Sequence, residues 1–401
     1  MGWDFWKLDC SPKTINNFMF VRKLEKVNYM KKVLLVLYDR LERGGVQNVI
    51  MQIVRNLNKE YIFDIVVFDS KQSFYDNEFE SYGGKIFRFG KYDQHSTFHS
   101  RADYYLRPFY VYKSISRILK YNGPYDVIHC HNALESGLCI LAGFQYKVPV
   151  RIAHSHTSYD NAGNFVYKLY TKIYLSLIHQ YSTNMVGCSE IAIQKLFESN
   201  DGTVIYNGID LEEFRLDEYN QIEFKTKIRL IQVATFTPNK NQIFSLKVVN
   251  AIKKKGIPVS LTLFGRSSTS EMTGYASEIT KYIYDNDLED NVHFVSGFND
   301  VPAELSQNEF LIFPSIREGF GIVPVEAQAM GLTCFISDSV PNDVDCGGCQ
   351  FLNLSDGEET WADEIIRFHL KNDKKRNHFD CSRFSIKTIC NEYRHLYEGL
   401  L

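Results

Sequence analysis

Pro314-Ser-Ile-Arg-Glu318-Gly319-Phe320-Gly321-Ile322-Val323-Pro324-Val-Glu326-Ala-Gln-Ala-Met330-Gly331 is the stretch that decides how this 401-residue chain is read. It follows a strand-length apolar run at residues 310–313 and leads into a helical pattern at 323–330. Strand, glycine loop, helix is one unit of a doubly wound sheet. Gly319 and Gly321 let the backbone approach a ligand closely, and Pro324 suits a first helical turn. The free N–H groups of Phe320, Gly321, Ile322 and Val323 would then face the carboxyl end of the sheet. An anion such as a diphosphate is held at such a place. Glu318 stands before the helix and Glu326 in its first turns, and each carboxylate can accept two hydroxyl hydrogen bonds from a sugar or a ribose. Such charge-assisted bonds are worth about 1.5–3 kcal/mol each. The plainer reading of the two acids is complementarity to the helix dipole.

Outward from this segment the same alternation repeats. Strands are expected at residues 229–234, 259–264, 292–295 and 333–337, with a helix at 241–255. The first half has its own series. Strands are expected at 33–37, 62–68, 85–89, 126–130, 150–153, 184–187 and 203–206, with helices at 46–57 and 109–120. Short apolar strands alternating with helices imply parallel sheets covered on both faces. The turn signal at Asn207-Gly208-Ile209-Asp210 and the polar stretch 217–227 mark a linker. The expected organisation is an extension at 1–29, an α/β domain at 30–212, a second at 213–376 and a terminal segment at 377–401. An amphipathic helix at 385–400 closes the chain and is expected to cross back to the first domain.

Composition excludes several classes. The chain has 45 Lys plus Arg against 48 Asp plus Glu, so a general nucleic-acid binder is not expected. Residues 31–210 carry 20 basic and 17 acidic groups, whereas 211–401 carry 20 and 28. The first half is therefore the better side for an anionic membrane or a pyrophosphate-bearing acceptor. Nine scattered cysteines fit a reducing compartment. Cys346-Gly-Gly-Cys349 lacks two further zinc ligands nearby and reads as a turn. No apolar run approaches the roughly 18 residues of a span, and the N-terminus shows no signal peptide. The expected location is cytoplasmic, with any membrane contact peripheral.

The spacing Glu318-x7-Glu326 resembles the donor motif of retaining GT-B glycosyltransferases of family 4. Gly44-Gly45-Val46-Gln47 resembles that family's N-terminal glycine loop. Ser189-Glu190, Tyr206-Asn-Gly-Ile-Asp210, the loop from Thr235 to Asn241 and Tyr393-Arg-His-Leu-Tyr397 resemble further family segments in matching order. The closest flavour is that of bacterial transferases building capsules and exopolysaccharides. The resemblance implies two Rossmann-like domains facing a cleft. It implies a nucleotide-sugar donor, a UDP-sugar by expectation, and a lipid-linked or growing saccharide as acceptor. Neither a cofactor nor a metal is implied. Glu326 would bind ribose hydroxyls, Glu318 would hold the transferred sugar, and Lys240 would neutralise the leaving diphosphate. The backbone of Phe320, Gly321, Ile322 and Val323 and the loop at Gly44 and Gly45 would flank sugar and diphosphate. Gly297 and Phe298 would meet the base. Where the family usually has Arg, this chain has Thr235, and Arg266 is the candidate to replace its charge.

Two His-x-His pairs, His129/His131 and His154/His156, lie at expected strand ends and each shares a strand face. By the resemblance His156 is the active-site histidine beside the transferred sugar, and His131 lies toward the acceptor. His129 and His154 read as packed core residues. A four-histidine metal site is the alternative, unaccompanied by an acidic ligand motif. Lys and Arg beside Tyr and Phe at residues 101–121 and 165–181 suit a membrane interface as well as a half-buried helix. Thr235 also keeps open a non-catalytic nucleotide-sugar binder that partners a true transferase. An epimerase or a phosphorylase on this fold is less well matched.

Overall fold

The structure is a computed structural model that describes residues 30–90, 101–156, 165–215, 226–265, 270–296, 300–371 and 376–401. The expectations for the extension 1–29 and for most of the linker stretch lie outside the described residues.

The first domain alternates β1 (Lys31–Leu37), α1 (Gly45–Leu57), β2 (Tyr61–Val67), α2 (Asp76–Ser81), β3 (Ile86–Arg88), α3 (Arg101–Asn122) and β4 (Val127–Cys130). It continues through α4 (Ser136–Gln145), β5 (Val150–Ser155), α5 (Phe165–Tyr181), β6 (Asn184–Gly187), α6 (Glu190–Phe197) and β7 (Thr203–Val204). Its seven strands lie in the order β3-β2-β1-β4-β5-β6-β7, and every pairing is parallel. Val33, Leu34, Leu35 and Val36 are fully buried, as a central strand covered on both faces requires. Helix α1 covers one face with Val49, Ile50, Ile53, Val54 and Leu57, a spacing that gives one apolar stripe.

The second domain runs β8 (Ile228–Val233), α7 (Gln242–Lys254), β9 (Val259–Gly265), α8 (Ser270–Asp285), β10 (Val292–Ser296), α9 (Val301–Ser306) and β11 (Phe310–Phe313). Then come α10 (Ile322–Ala329), β12 (Thr333–Ser337), β13 (Cys349–Leu352) and α11 (Gly357–Lys371). Its sheet is also parallel, in the order β10-β9-β8-β11-β12-β13. The strand order reverses between β1 and β4 in one sheet and between β8 and β11 in the other. Ligands of open α/β sheets bind outside the carboxyl ends of strands at such switch points.

The last helix, α12 (Ile386–Glu398), packs on the first domain. Ile389, Tyr393, Leu396 and Tyr397 join the core built on Val33, Leu35 and Val54. Full burial of side chains of this size contributes about 1.5–3 kcal/mol each. At its rim Lys31 Nζ lies 2.5 Å from Glu398, and Arg394 makes a two-pronged bond to Glu60 at 2.7 and 2.8 Å. Gly399, at φ 72°, ends the helix in the left-handed conformation that glycine favours.

Two local expectations change. Pro108 falls inside α3, which begins at Arg101 rather than near residue 109. Cys349 opens β13, so the Cys346–Cys349 pair is only half a turn. Asp345 Oδ1 accepts from the N–H groups of Gly347 and Cys349 at 2.8 and 3.0 Å and launches the strand. The eight described cysteines are free thiols.

Candidate active site

At the end of β8 the chain makes a tight passage. A Cβ on Gly265 would stand 1.9 Å from the carbonyl oxygen of Ala234, so only glycine lets the ends of β8 and β9 approach this closely. The loop that follows turns through a short 3-10 segment, Pro238–Lys240, into Asn241 at φ 55°. Side-chain amides hold it at both ends. Gln232 Nε2 donates to the Lys240 carbonyl at 2.6 Å, and Gln242 Nε2 donates to the Thr235 carbonyl at 3.0 Å.

The loop after β11 is fastened to this one. The Ile316 N–H donates to the Asn239 carbonyl at 2.8 Å, and Asn239 Nδ2 donates to the Arg317 carbonyl at 2.9 Å. Two functional candidates 78 residues apart are thereby brought together. Lys240 Nζ lies 2.5 Å from Glu318 Oε1, with side-chain exposures of 24% and 11%. The ammonium also sits 5.4 Å from the centre of the Phe313 ring. Largely shielded from water, the pair is stronger than a surface ion pair.

Gly321, at φ 92°, turns the chain into α10. The N–H groups at the head of this helix have no partner within it. The Phe320 side chain does not face a ligand space. It is buried against Tyr206 and Phe384, each ring centre 5.6 Å away, which leaves only its backbone for binding. Ile322 and Val323 are half-buried. Glu326 lies one turn further, half-buried, and its carboxyl is pushed up to about 8 by burial and then by the negative charge of Glu213. Thr235 is half-buried in the same wall.

A second group of candidates belongs to the first sheet. Gly44 and Gly45 are exposed at the head of α1. Gln47 braces this loop by donating to Asp39 and to the Arg40 carbonyl, both at 3.2 Å. The two domains touch where Ser189, the N-cap of α6, meets the donor-type loop. Its hydroxyl accepts from the Ala192 N–H at 3.1 Å and donates to the Gly319 carbonyl at 2.5 Å. Tyr206 adds a second bridge, with its hydroxyl 3.0 Å from Asp343 Oδ1.

The two His-x-His pairs converge across β4 and β5. His129 Nε2 is 3.0 Å from His154 Nδ1, and His131 Nδ1 is 2.7 Å from His156 Nε2. The inner pair continues to the last helix, because His129 Nδ1 lies 3.0 Å from the Tyr397 hydroxyl. Burial lowers all four, His129 and His156 to about 3 and the other two well below the usual value. All four are therefore neutral at pH 7. Ring nitrogens of His129, His131 and His154 lie within 4.8 Å of one another, close enough to consider a metal. Among the described residues no carboxylate completes that group, and ring nitrogens of both pairs already share hydrogen bonds.

Glu318, Lys240, Thr235 and the head of α10 thus form one wall. Gly44, Gly45, His131 and His156 lie at the carboxyl ends of β1, β4 and β5, beside the switch point of the first sheet. Arg266, Gly297 and Phe298 lie outside the described residues. Sequence reasoning missed Glu213 as a neighbour of Glu326, because no motif links them. It also left Ser189 without a role, although a serine heading an apolar helix is a capping signal.

Residues 43–213 match the family described as Glycosyltransferase Family 4, and residues 215–380 match glycosyl transferases group 1. The protein EpsF of Bacillus subtilis is 30% identical over 357 residues, covering 85% of this chain and 88% of that protein. The capsular polysaccharide biosynthesis glycosyltransferase CapH of Staphylococcus aureus is 27% identical, covering 90% of this chain and 97% of its own. Among solved structures, Anabaena Alr3699/HepE in complex with UDP superimposes with a TM-score of 0.71 at 16% identity. That alignment covers 92% of this chain and 100% of the other.

Proposed function

The chain belongs to the family 4 glycosyltransferases of GT-B architecture, the kind found in capsule and exopolysaccharide synthesis, and from that premise we propose that it transfers a sugar from a UDP-sugar to a hydroxyl of a lipid-linked or growing saccharide with retention of anomeric configuration. The observation that carries this reading is the Lys240–Glu318 pair beside the amino end of α10, with Glu326 one turn on. A cation, unpaired amides and two carboxylates at one switch point suit a diphosphate flanked by two polyhydroxy rings.

In the proposed reaction the bond between the anomeric carbon and the diphosphate oxygen breaks. A bond from the acceptor oxygen forms on the same face, and the acceptor proton passes to the departing diphosphate. Lys240 and the amides of Ile322 and Val323 stabilise the charge that develops there, without a metal ion. Glu318 orients the sugar ring, Glu326 the ribose, and neutral His156 offers the ring a hydrogen bond. Thr235 contributes a hydroxyl where a charge is usual. Arg266, Gly297 and Phe298 retain their proposed donor roles, and His131 its acceptor side. UDP is favoured by the bound nucleotide of the Anabaena protein.

Lipid linkage and peripheral membrane contact are favoured by Phe109, Tyr121, Leu169 and Ile173. These residues are 64%, 70%, 52% and 48% exposed on α3 and α5, beside Lys113, Lys120, Lys168 and Lys172. No helix among the described residues is long and apolar enough to cross a membrane. Saccharide transfer by the inner-face machinery of a cytoplasm is consistent with such contact.

The test is UDP release from a panel of UDP-sugars, with and without acceptor extract and with and without EDTA, followed by NMR of the new linkage. Slow hydrolysis of one donor, acceleration by acceptor, insensitivity to EDTA and retained configuration are expected. Nucleotide binding without either hydrolysis or transfer would favour the non-catalytic binder that Thr235 keeps open.

A further inference from the structure

A second pocket opens on the first domain, away from the donor wall; most of its wall is apolar, Pro108 and Leu134 included, with a few polar groups set into it. It lies between α3 and α5, beside the carboxyl ends of β1 and β4, with a volume of about 90 Å³. Tyr38, Arg107, Glu135, Tyr170, Thr171 and Tyr174 line it. Tyr38 follows directly on β1, and Glu135 stands four residues beyond His131 on the loop after β4. The pocket therefore borders the same sheet edge as the histidines.

Its lining is not that of a packing defect. Tyr38 and Thr171 are each 5% exposed, yet the Tyr38 hydroxyl and Thr171 Oγ1 are buried with no hydrogen-bond partner among the described residues. Buried hydroxyls are rarely left unpaired, and each such group is costly. Asn132, also 5% exposed and next to His131, has both amide atoms in the same state. Between them and Glu135, Ala133 holds φ 49°, a conformation a non-glycine residue adopts at a cost and which clusters at functional sites. The Arg107 guanidinium lies 4.9 Å from the centre of the Tyr38 ring. It also faces Glu135, whose carboxyl burial pushes upward and whose shift the Arg107 charge opposes.

We propose that this pocket seats one neutral sugar ring of the acceptor, edge first, and so places the acceptor at the His131 side of the cleft. Aromatic walls suit the C–H face of a pyranose. A carboxyl, a guanidinium and two waiting hydroxyls suit its O–H groups. A balanced Arg–Glu pair is the wrong lining for a phosphate, which would be repelled by Glu135. The volume admits a few waters, enough for the hydroxyl-bearing edge of a hexose but not for a nucleotide. The inference rests on the proposed transferase reading, since a saccharide acceptor is its premise.

The test uses the full chain saturated with UDP, so that the donor site is filled and its occupancy is itself measured. Methyl glycosides of glucose, galactose, mannose and N-acetylglucosamine are screened by saturation-transfer NMR, with inorganic phosphate as the competing probe. At least one glycoside is expected to bind. Tyr38→Phe and Thr171→Val, which remove only the waiting hydroxyls, should each weaken it by about three- to tenfold. Both variants should keep the wild-type UDP affinity and a melting temperature no lower than wild type. Absence of glycoside binding with UDP bound, unchanged affinity in both variants, or displacement by phosphate would overturn the pocket assignment. Failure of UDP itself to bind would instead strike at the transferase reading.

Discussion

Lys240 Nζ stands 2.5 Å from Glu318 Oε1, although the two residues come from different loops 78 positions apart. Before donor binds, each is the other's counter-charge. On the proposed function, a donor diphosphate would meet a cation already fixed in place, and its carboxylate partner would be released toward the sugar hydroxyls. Lys240→Ala should then lower turnover by about 100- to 1,000-fold, the usual loss when a preorganised charge is removed from a developing anion. UDP affinity should fall less, by about tenfold. Single-turnover rates and calorimetric UDP binding check this, and turnover within twofold of wild type would remove Lys240 from the reaction. Lys240→Arg should not restore the rate, because a planar fork cannot replace a point charge in this tight turn.

The proposed ribose contact of Glu326 would make nucleotide binding pH-dependent. Its carboxyl is raised to about 8, so it is mostly protonated at neutral pH in the free protein. Accepting two ribose hydroxyls requires the carboxylate. UDP binding should therefore release a proton and tighten as pH rises from about 6.5 to 8.5. For folding the sign runs the other way. A raised carboxyl contributes stability that is full below its ordinary value and is lost as pH climbs to about 8. Glu326→Gln should thus raise the melting temperature at pH 8, leave it unchanged near pH 4.5, and abolish the pH dependence of UDP affinity. Calorimetry in buffers of different ionisation enthalpy reads the proton directly.

The histidine row sets an acid limit. His129, His131, His154 and His156 stay neutral in the folded protein far below the pH at which the unfolded chain protonates them. The unfolded state therefore binds more protons as pH drops below about 6.5, and stability falls with it. At one unit below that value each locked histidine costs on the order of 1 kcal/mol. Melting temperature should decline steeply between about pH 6.5 and 5. His154→Gln should flatten the decline, because it deletes a titrating group but leaves a hydrogen-bonding side chain opposite His129. An unchanged slope in that variant would contradict the neutral row.

Much of this was legible in the residues themselves. The buried strands announced themselves as short apolar runs, and the two glycine loops marked both switch points. Helix α4 escaped because its residues, such as Cys139, Ile140 and Ala142, are buried between α3 and α5 and present no polar face to set a period. The full length of α3 was hidden by Pro108, which reads locally as a helix start. Convergence of the histidine pairs followed from strand parity, but their link to Tyr397 depends on a helix that returns across 268 residues. The pocket at Tyr38 and Thr171 is assembled from four segments, and no local pattern foretells it.

Ser189 couples capping to domain contact, and the two can be separated. Its hydroxyl accepts from the Ala192 N–H and donates to the Gly319 carbonyl. Ser189→Ala removes both bonds, and loss of the cap alone costs about 1 kcal/mol. Ser189→Asp keeps the cap acceptor but presents a carboxylate to the Gly319 carbonyl, so it opposes the domain contact while sparing α6. If closure over the donor excludes water, both variants should raise donor hydrolysis relative to transfer. Only the alanine variant should lower the melting temperature through its lost cap. Ser189→Thr, which keeps a hydroxyl, should behave as wild type. The ratio of free sugar to transferred sugar, measured beside small-angle scattering with UDP bound, decides the matter. An aspartate variant with wild-type ratio and wild-type radius of gyration would show that the Ser189–Gly319 bond does not hold the cleft closed.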